Sequence, residues 1–230
     1  MLSLVVTSGV LISRWWSQWR APSPLIRTIA VEGAQRLSVA EIRRLLPFRE
    51  GDRLFGVSLT DAAQRLSDQS WIAEATLYRV LPDTVVVRVQ ERQPSAMVRD
   101  AAGGWYVDRD GVVLGPQNER PGPEMFVVDG VSVAQLRAGA WSERRRLQQA
   151  LELLDLLRGD GVDAAVVTMR QEDEAVAAFG AWRLHFRAGH YEEQWRHFWQ
   201  VAERIPADPK RAGQPRDIDL RFANSVVVKM

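Results

Sequence analysis

The sequence contains no cysteine and only three histidines. The absence of cysteine excludes disulfide bonds, thiolate metal sites and cysteine nucleophiles, and it is compatible with an oxidising compartment without requiring one. Neither sign of charge predominates, since 30 basic and 29 acidic residues leave a net charge of +1. Such a balance gives no general electrostatic basis for binding nucleic acid. The apolar and charged fractions, 46% and 26%, are ordinary for a globular protein.

Sequence motifs of enzymes and cofactor-binding proteins are also missing. There is no nucleophile elbow, Walker loop, dinucleotide fingerprint or HExxH motif. Asp108 and Asp110 precede Gly111 as in a calcium loop, but the distal glutamate is absent, so a tight turn is the favoured interpretation. The histidines do not share one helical face; they are His185, His190 and His197. The sequence therefore predicts a protein that is not an enzyme and that holds no metal or cofactor.

The N-terminal residues are apolar and then rich in tryptophan. Residues 1–12 (MLSLVVTSGVLI) precede a cluster formed by Arg14, Trp15, Trp16, Trp19 and Arg20. As a helix the apolar run spans only about 18 Å, whereas a bilayer core needs about 20 residues. We interpret residues 1–20 as the distal part of a membrane helix, whose beginning is missing, followed by an interfacial tryptophan belt.

Two other interpretations of this segment stay open. One is the apolar region of a signal peptide, although no basic segment precedes it and no A-x-A site follows it. The other is a disordered tail. The two arginines also lie on the side that we place outside the cell, which the positive-inside rule disfavours.

Residues 21–25 form a short proline-containing linker, and residues 26–93 then show a β-α-α-β-β pattern. Ser38 with Glu41 predicts a capping box for the first helix, and Ser58 predicts the cap of the second. Pro82 and Asp83 predict a turn between the last two strands. The predicted strands are 26–32, 72–80 and 84–91, and the predicted helices are 39–46 and about 59–67.

Residues 94–230 predict a mainly antiparallel β domain with two helices. Ser142 is the predicted cap of a helix over 143–158, and a second helix covers 192–205. The predicted strands are 105–107, 112–114, 164–170, 175–179, 181–187, 218–222 and 226–230. The complete chain is thus expected to be α+β, with a membrane-helix remnant at residues 1–20 and two domains.

Two side-chain clusters in this second domain have simple structural interpretations. The consecutive arginines 144–146 are expected to be solvated on a helix surface, with contact to anionic lipid or a partner as the alternative. The aromatic stripe is expected to pack in the core; it is formed by Trp195, Phe198 and Trp199.

The C-terminal segment, residues 225–230 (SVVVKM), is short and β-prone. At the edge of a sheet its unpaired peptide groups would be a template for another strand. Such an edge is either used for β-augmentation by a partner or protected, and here Lys229 could supply the protective charge. The residues alone leave both possibilities open.

Three blocks of sequence resemble the FtsQ/DivIB family of bacterial cell-division proteins. The segment 71–96, ending in Glu91, Arg92, Pro94 and Ala96, is similar to the end of that family's POTRA domain. The hairpin 106–114 is similar to its next element, and 217–229 (DIDLRFANSVVVK) is similar to its Asp-Leu-Arg-Tyr…Val ending. The resemblance covers residues 26–230 and assigns a POTRA domain to 26–93 and an FtsQ-type β domain to 94–230.

The resemblance implies a single-pass inner-membrane protein whose bulk is periplasmic and lies at the division septum. It implies a scaffold that recruits FtsB-like and FtsL-like proteins and regulates septal peptidoglycan synthesis. Its final strand would pair with a strand of the FtsB-like partner, through Arg221, Phe222, Asn224, Ser225, Val226, Val228 and Lys229. Phe222 departs from the commoner Tyr, and Ser225 stands where Gly is frequent. The alternative functions are a POTRA module of a polypeptide-transport or outer-membrane assembly system and a periplasmic enzyme.

Overall fold

The computed structural model describes residues 23–117, 125–162, 165–171, 173–202, 216–222 and 227–229. The chain divides into two compact units between Glu91 and Arg92. The predicted membrane anchor, residues 1–20, lies outside the described residues. Within the ranges described, no helix combines the length and the apolar character that a membrane span requires.

The first unit has the predicted β-α-α-β-β order. Its elements are β1 (Thr28–Glu32), α1 (Val39–Leu45), α2 (Leu59–Ser67), β2 (Ile72–Val80) and β3 (Thr84–Glu91). Strand β3 is the centre of a three-stranded sheet, parallel to β1 and antiparallel to β2. The alternating valines of β3 are buried, which is what a central strand packed by helices requires.

Local signals determine where the helices of this unit begin. The Ser38 hydroxyl accepts from the Glu41 N–H at 3.2 Å, and the Glu41 carboxylate accepts from the Ser38 N–H at 2.8 Å. The predicted capping box is therefore confirmed. Ser58 likewise accepts from the Asp61 N–H at 3.2 Å, as predicted. Each cap satisfies an N–H group that the helix itself leaves without a partner.

Among the residues described, the second unit is built on one nine-stranded sheet. Its strands are β4 (Ala96–Asp100), β5 (Gly103–Val107), β6 (Val113–Pro116), β7 (Val127–Asp129), β8 (Val166–Gln171), β9 (Glu174–Phe179), β10 (Trp182–Arg187), β11 (Arg216–Asp219) and β12 (Val227–Lys229). Their order in the sheet is β12-β11-β10-β9-β8-β7-β4-β5-β6. Neighbouring strands are mainly antiparallel; the parallel pairs are β4–β7, β7–β8 and β10–β11. The α+β fold class predicted from the sequence is confirmed.

The helices of the second unit are α3 (Val133–Arg137), α4 (Trp141–Gly159) and α5 (Tyr191–Ala202). Apolar residues of α4 and α5 pack with one face of the sheet in a single core, for example Leu147, Leu154 and Phe198 against Leu184 and Phe186. Each such fully buried side chain contributes roughly 1.5–3 kcal/mol by leaving water. The alternation in β10 places His185 on the opposite face of the sheet.

The predicted cap of α4 is wrong. The helix begins at Trp141, Ala140 is its N-cap residue, and no side chain caps it. The Ala140 carbonyl already accepts from the Arg144 N–H at 3.1 Å, so Ser142 lies inside the first turn. A serine near the start of a helix can be the N-cap residue or can lie within the first turn, and the sequence alone does not distinguish these positions.

Candidate partner-binding edge

Strands β11 and β12 form one end of the nine-stranded sheet. In the antiparallel pair β11–β12, Asp217 lies opposite Lys229, Ile218 opposite Val228, and Asp219 opposite Val227. Strand β12 has β11 on one side and, among the described residues, no strand on the other. We call this end of the sheet the C-terminal edge. It consists of β11, β12 and the three residues that follow β11, Leu220 to Phe222.

The direction of the peptide groups at this edge follows from two hydrogen bonds. The Arg216 N–H donates to Ala181 O at 2.7 Å, and the Leu220 N–H donates to His185 O at 3.0 Å. Because peptide groups alternate along a strand, residues 216, 218 and 220 face β10, whereas 217 and 219 face β12. In β12, residues 227 and 229 therefore bond to β11, and the N–H and C=O of Val228 point away from the sheet.

The opposite edge of the same sheet is built differently. Strand β6 pairs only with β5 among the described strands, and its last residue is Pro116. Proline has no N–H to donate, so it is one of the residues that protect a sheet edge from pairing. Residues 227–229 contain no proline.

Arg221 lies directly after β11 and is fixed by two carboxylates. Its Nε donates to Asp219 Oδ1 at 2.8 Å, and a terminal nitrogen donates to Asp219 Oδ2 at 2.5 Å. Another guanidinium nitrogen lies 3.3 Å from Glu174 Oε1. These bonds from Arg221 hold the pKa of the Asp219 carboxyl below its ordinary value, and the same pair raises the pKa of Arg221. The strand was predicted over 218–222, whereas the observed strand β11 covers Arg216–Asp219.

His185 is buried on the polar face of the sheet, with a relative exposure of 3%. Its Nδ1 lies 3.3 Å from Glu174 Oε1 on β9, and its Nε2 lies 2.8 Å from Asp217 Oδ1 on β11. The imidazole thus bridges three adjacent strands. We refer to His185, Glu174, Asp217, Asp219 and Arg221 as the polar cluster.

A small open pocket borders the polar cluster. It is lined by Arg187, His190, Glu193, Gln194, His197, Arg221 and Phe222. The Phe222 ring is about half exposed, at 51%. The buried Gln194 side chain accepts from the Arg187 N–H at 2.9 Å and so ties α5 to the end of β10. The pocket presents several basic side chains, the acidic Glu193 and one exposed aromatic ring next to the C-terminal edge.

The predicted partner-binding residues are described to different extents. Arg221 and Phe222 both line this pocket. Val228 and Lys229 belong to β12, and only their backbone is described. The other predicted residues, Asn224, Ser225 and Val226, lie outside the described residues. The polar cluster was not predicted from the sequence. The alternation around His185 indicated a polar face, but no sequence pattern identified the carboxylates that contact the imidazole.

The other candidate sites have structural roles. Asp108 is a buried turn residue: its Oδ1 accepts from Asp110 N and Val112 N at 3.0 and 2.8 Å, and its Oδ2 from Arg92 at 2.7 Å. Gly111 has the positive φ, 77°, that this turn needs. The turn interpretation is therefore confirmed. In the described part of the chain, no group of three or more His, Asp or Glu side chains is placed to hold a metal ion.

Charged residues in the block 71–96 stabilise the fold. The buried Glu91 carboxylate accepts from three successive N–H groups, Gln35, Arg36 and Leu37, at 3.0, 2.8 and 2.9 Å. Arg79 on β2 donates to the carbonyl oxygens of residues 54 and 57 at 2.8 and 2.7 Å. Both side chains bind loop backbone that has no partner in the sheet, which explains why charges stand in an otherwise alternating hairpin.

Comparison with known proteins supports the resemblance seen in the sequence. Residues 25–92 match the family model described as "POTRA domain, FtsQ-type". The chain is 30% identical over 241 residues to the cell division protein FtsQ of Allochromatium vinosum, covering 100% of this chain and 86% of that protein. It is 28% identical to FtsQ of Salinibacter ruber, covering 98% and 90%.

Other relatives match over a shorter region. The chain is 30% identical over 169 residues to FtsQ of Anaeromyxobacter sp. (strain K), covering 71% of this chain and 55% of that protein. It thus spans about half the length of several relatives, with 47% and 48% covered in two more FtsQ proteins. The match over the whole chain at 30% identity nevertheless places the sequence in one family: the chain belongs to the FtsQ family of cell division proteins.

Proposed function

We propose that this protein is a cell-division scaffold that binds an FtsB-like protein by adding a strand to the C-terminal edge. The observation that carries the proposal is the position of β12. It is an edge strand of the described sheet, and the N–H and C=O of Val228 point away from β11. A partner strand can bond to such an edge through backbone groups, while neighbouring side chains select it. The mechanism is association, without a chemical step and without a cofactor.

Within the described residues, the backbone contribution of this edge is small. The N–H and C=O of Val228 can form two hydrogen bonds, each worth roughly 0.5–1.5 kcal/mol net. Association alone costs about 4 kcal/mol or more. Binding therefore requires contacts from side chains at the C-terminal edge, for which Arg221 and Phe222 are available beside the open pocket, together with the high effective concentration of partners anchored in one membrane.

The remaining features of the proposal concern where the protein acts. Residues 1–20 would anchor it in the inner membrane as a single-pass protein, and the POTRA domain (26–93) and β domain (94–230) would lie in the periplasm at the septum. There it would also engage an FtsL-like protein and regulate septal peptidoglycan synthesis. The match of the whole chain to FtsQ proteins favours this function over a polypeptide-transport module.

Proline at position 228 tests strand addition directly. Val228→Pro removes the donor that faces the partner and leaves the β11 bonds of residues 227 and 229 in place. Val228→Ala is the matched control, because it shortens the side chain and keeps the N–H. Binding of the periplasmic segment of the FtsB-like protein from the same organism is measured by calorimetry. We expect the proline variant to lose binding at least tenfold, since an unpaired acceptor is left in the partner, and the alanine variant to bind within about threefold of wild type. Equal binding by the proline variant and the wild type would rule out strand addition at this edge.

A further inference from the structure

The polar cluster lies between the body of the sheet and the C-terminal edge. It contains three carboxylates and two basic groups: Glu174 on β9, Asp217 and Asp219 on β11, His185 on β10, and Arg221 after β11. His185 and Asp219 are buried, each with 3% relative exposure. Buried charges of one sign are tolerated only when opposite charges compensate them. Arg221 bonds to Asp219 and lies near Glu174, whereas Asp217 contacts the imidazole, so the charge of the imidazole contributes directly to the local balance.

The contacts of His185 require a specific protonation state. Both ring nitrogens lie within hydrogen-bonding distance of a carboxylate oxygen, at 3.3 Å for Nδ1 and 2.8 Å for Nε2. A neutral imidazole has one N–H, so it can donate to only one carboxylate and turns a lone pair toward the other. The imidazolium ion donates to both Glu174 and Asp217. The bridge from β9 to β11 is therefore complete only when His185 is protonated.

The same bridge reaches Arg221 through a shared oxygen. Glu174 Oε1 lies 3.3 Å from His185 Nδ1 and 3.3 Å from an Arg221 nitrogen. When the imidazole loses its Nδ1 proton, Glu174 Oε1 faces a nitrogen lone pair and is repelled. The same oxygen then moves away from the place where it contacts Arg221. The backbone also connects His185 to Arg221, because the N–H of Leu220, the residue before Arg221, donates to His185 O.

From this geometry we infer that His185 and Glu174 are positioning residues for the C-terminal edge, and that they hold β11 and Arg221 most firmly when His185 is protonated. The inference rests on the proposed function, since it describes a regulation of that same binding edge. It predicts that partner binding is weaker when the His185 ring has lost a proton than when both of its nitrogens carry one.

Other charged groups around His185 do not reverse this direction. On the facing strands its register neighbours are Val176 on β9 and Asp219 on β11. On its own strand, Arg183 and Arg187 are exposed to solvent. Arg187 lies opposite Glu174 and Arg183 opposite Asp217. Asp173 interacts with Arg221, and Lys229 lies opposite Asp217 in the β12 register. Arginine carries its proton at every pH used for proteins, so Arg183 and Arg187 do not oppose the effect of the imidazole charge.

The first experiment examines the free full-length chain and does not depend on any partner. Nitrogen NMR of the His185 ring reports its protonation, and amide exchange of Leu220 reports how firmly β11 is held to β10. Across a pH titration, as the ring loses one proton, we expect roughly three- to tenfold more opening at Leu220 than the change in the intrinsic exchange rate explains. In His185→Gln this extra change disappears. Glu174→Gln, which removes the carboxylate at Nδ1, also reduces it and serves if the His185 variant folds poorly.

The second experiment measures calorimetric binding of the periplasmic FtsB-like segment over the same pH range. The wild type is expected to bind roughly three- to tenfold more weakly at the upper end, and His185→Gln to show no such trend. Glu192→Gln is the matched control, because Glu192 is exposed on α5 and belongs neither to the bridge nor to the lining of the pocket.

The two experiments separate the inference from the proposed function. The positioning role is refuted if Glu192→Gln also abolishes the pH trend in binding, or if Leu220 exchange in His185→Gln keeps the wild-type pH trend. Val228→Pro could bind as well as wild type while the pH dependence of Leu220 exchange is still lost in His185→Gln. The proposed strand addition would then be wrong, and the inference that the polar cluster holds β11 in place would stand. A parallel loss of both pH trends in His185→Gln supports the inference.

Discussion

Replacing Glu91 by glutamine is expected to destabilise the first unit by about 3–5 kcal/mol. In the wild type, Oε1 accepts from Gln35 and Leu37, and Oε2 accepts from Arg36. Glutamine keeps one oxygen for two of the donors, but that acceptor is neutral and each bond loses about 1 kcal/mol. Its NH₂ group then faces the Arg36 N–H, so the third bond is replaced by two opposed donors, at a cost of roughly 1–3 kcal/mol.

The unfolding of this unit alone is measured by amide hydrogen exchange in β1 and β3 of the full chain, because exchange reports the free energy of opening segment by segment. Glu91→Ala, which removes all three bonds, is expected to cost about 4–5 kcal/mol. Glu74→Gln is the matched control: Glu74 is exposed on β2, so its replacement should change the stability by less than about 0.5 kcal/mol. If Glu91→Gln were as stable as Glu74→Gln, the three short distances would not represent stabilising bonds and our explanation of this residue would be wrong.

Two further predictions concern the second unit. Because Arg221 lowers the pKa of Asp219, their pair stabilises the fold above the ordinary carboxyl pKa of about 4 and loses this effect as the pH falls through the lowered pKa. Arg221→Gln should therefore cost roughly 1–3 kcal/mol at pH 7 and progressively less in urea titrations toward pH 2, whereas a deficit that stayed constant would contradict the pairing. Gly130 and Gly139 have similar φ values of 78° and 80°, but a Cβ at Gly130 would lie 2.1 Å from Met169 O, while that at Gly139 meets no atom within 4 Å. Gly130→Ala should lower the unfolding free energy by about 3 kcal/mol or more and Gly139→Ala by only about 1 kcal/mol; equal losses in thermal unfolding would show that the close approach is relieved without cost.

The features that the sequence predicted well depend on neighbouring residues. The Ser38 capping box, the turn at Pro82 and the turn at Asp108 each involve atoms within four residues of one another. Their chemistry is fixed by the local chain, so a sequence pattern is enough to recognise them. The same applies to the alternation of β3 and β10, since burial of one face imposes it.

Side-chain environments were predicted less well, because they depend on distant packing. Of the three arginines in α4, Arg144 and Arg145 are exposed as expected, but Arg146 is half-buried and donates to Met169 O at 2.9 Å. In the aromatic stripe of α5, Trp195 and Phe198 are buried as predicted, whereas Trp199 is 52% exposed. Helical spacing gives the direction of a side chain but not the width of the surface that covers it.

Short and non-local elements could not be predicted from the sequence. Strand β7 has three residues and helix α3 has five, which is too few for either periodicity to be recognised. Strand β7 is held by parallel pairing to β4 and β8, which are separated from it along the chain. The partners of His185 are likewise 11 and 32 residues away, so the polar cluster exists only because the sheet brings β9, β10 and β11 together.

The brevity of β12 also affects how two copies of this protein behave toward each other. A sheet edge cannot distinguish a foreign strand from its own duplicate by backbone bonding alone. With the peptide group of one described residue, Val228, turned outward, self-pairing would gain only about 1–3 kcal/mol, less than the cost of joining two free molecules. Backbone pairing at Val228 alone therefore does not hold two identical molecules together, so side chains determine which strand can bind there.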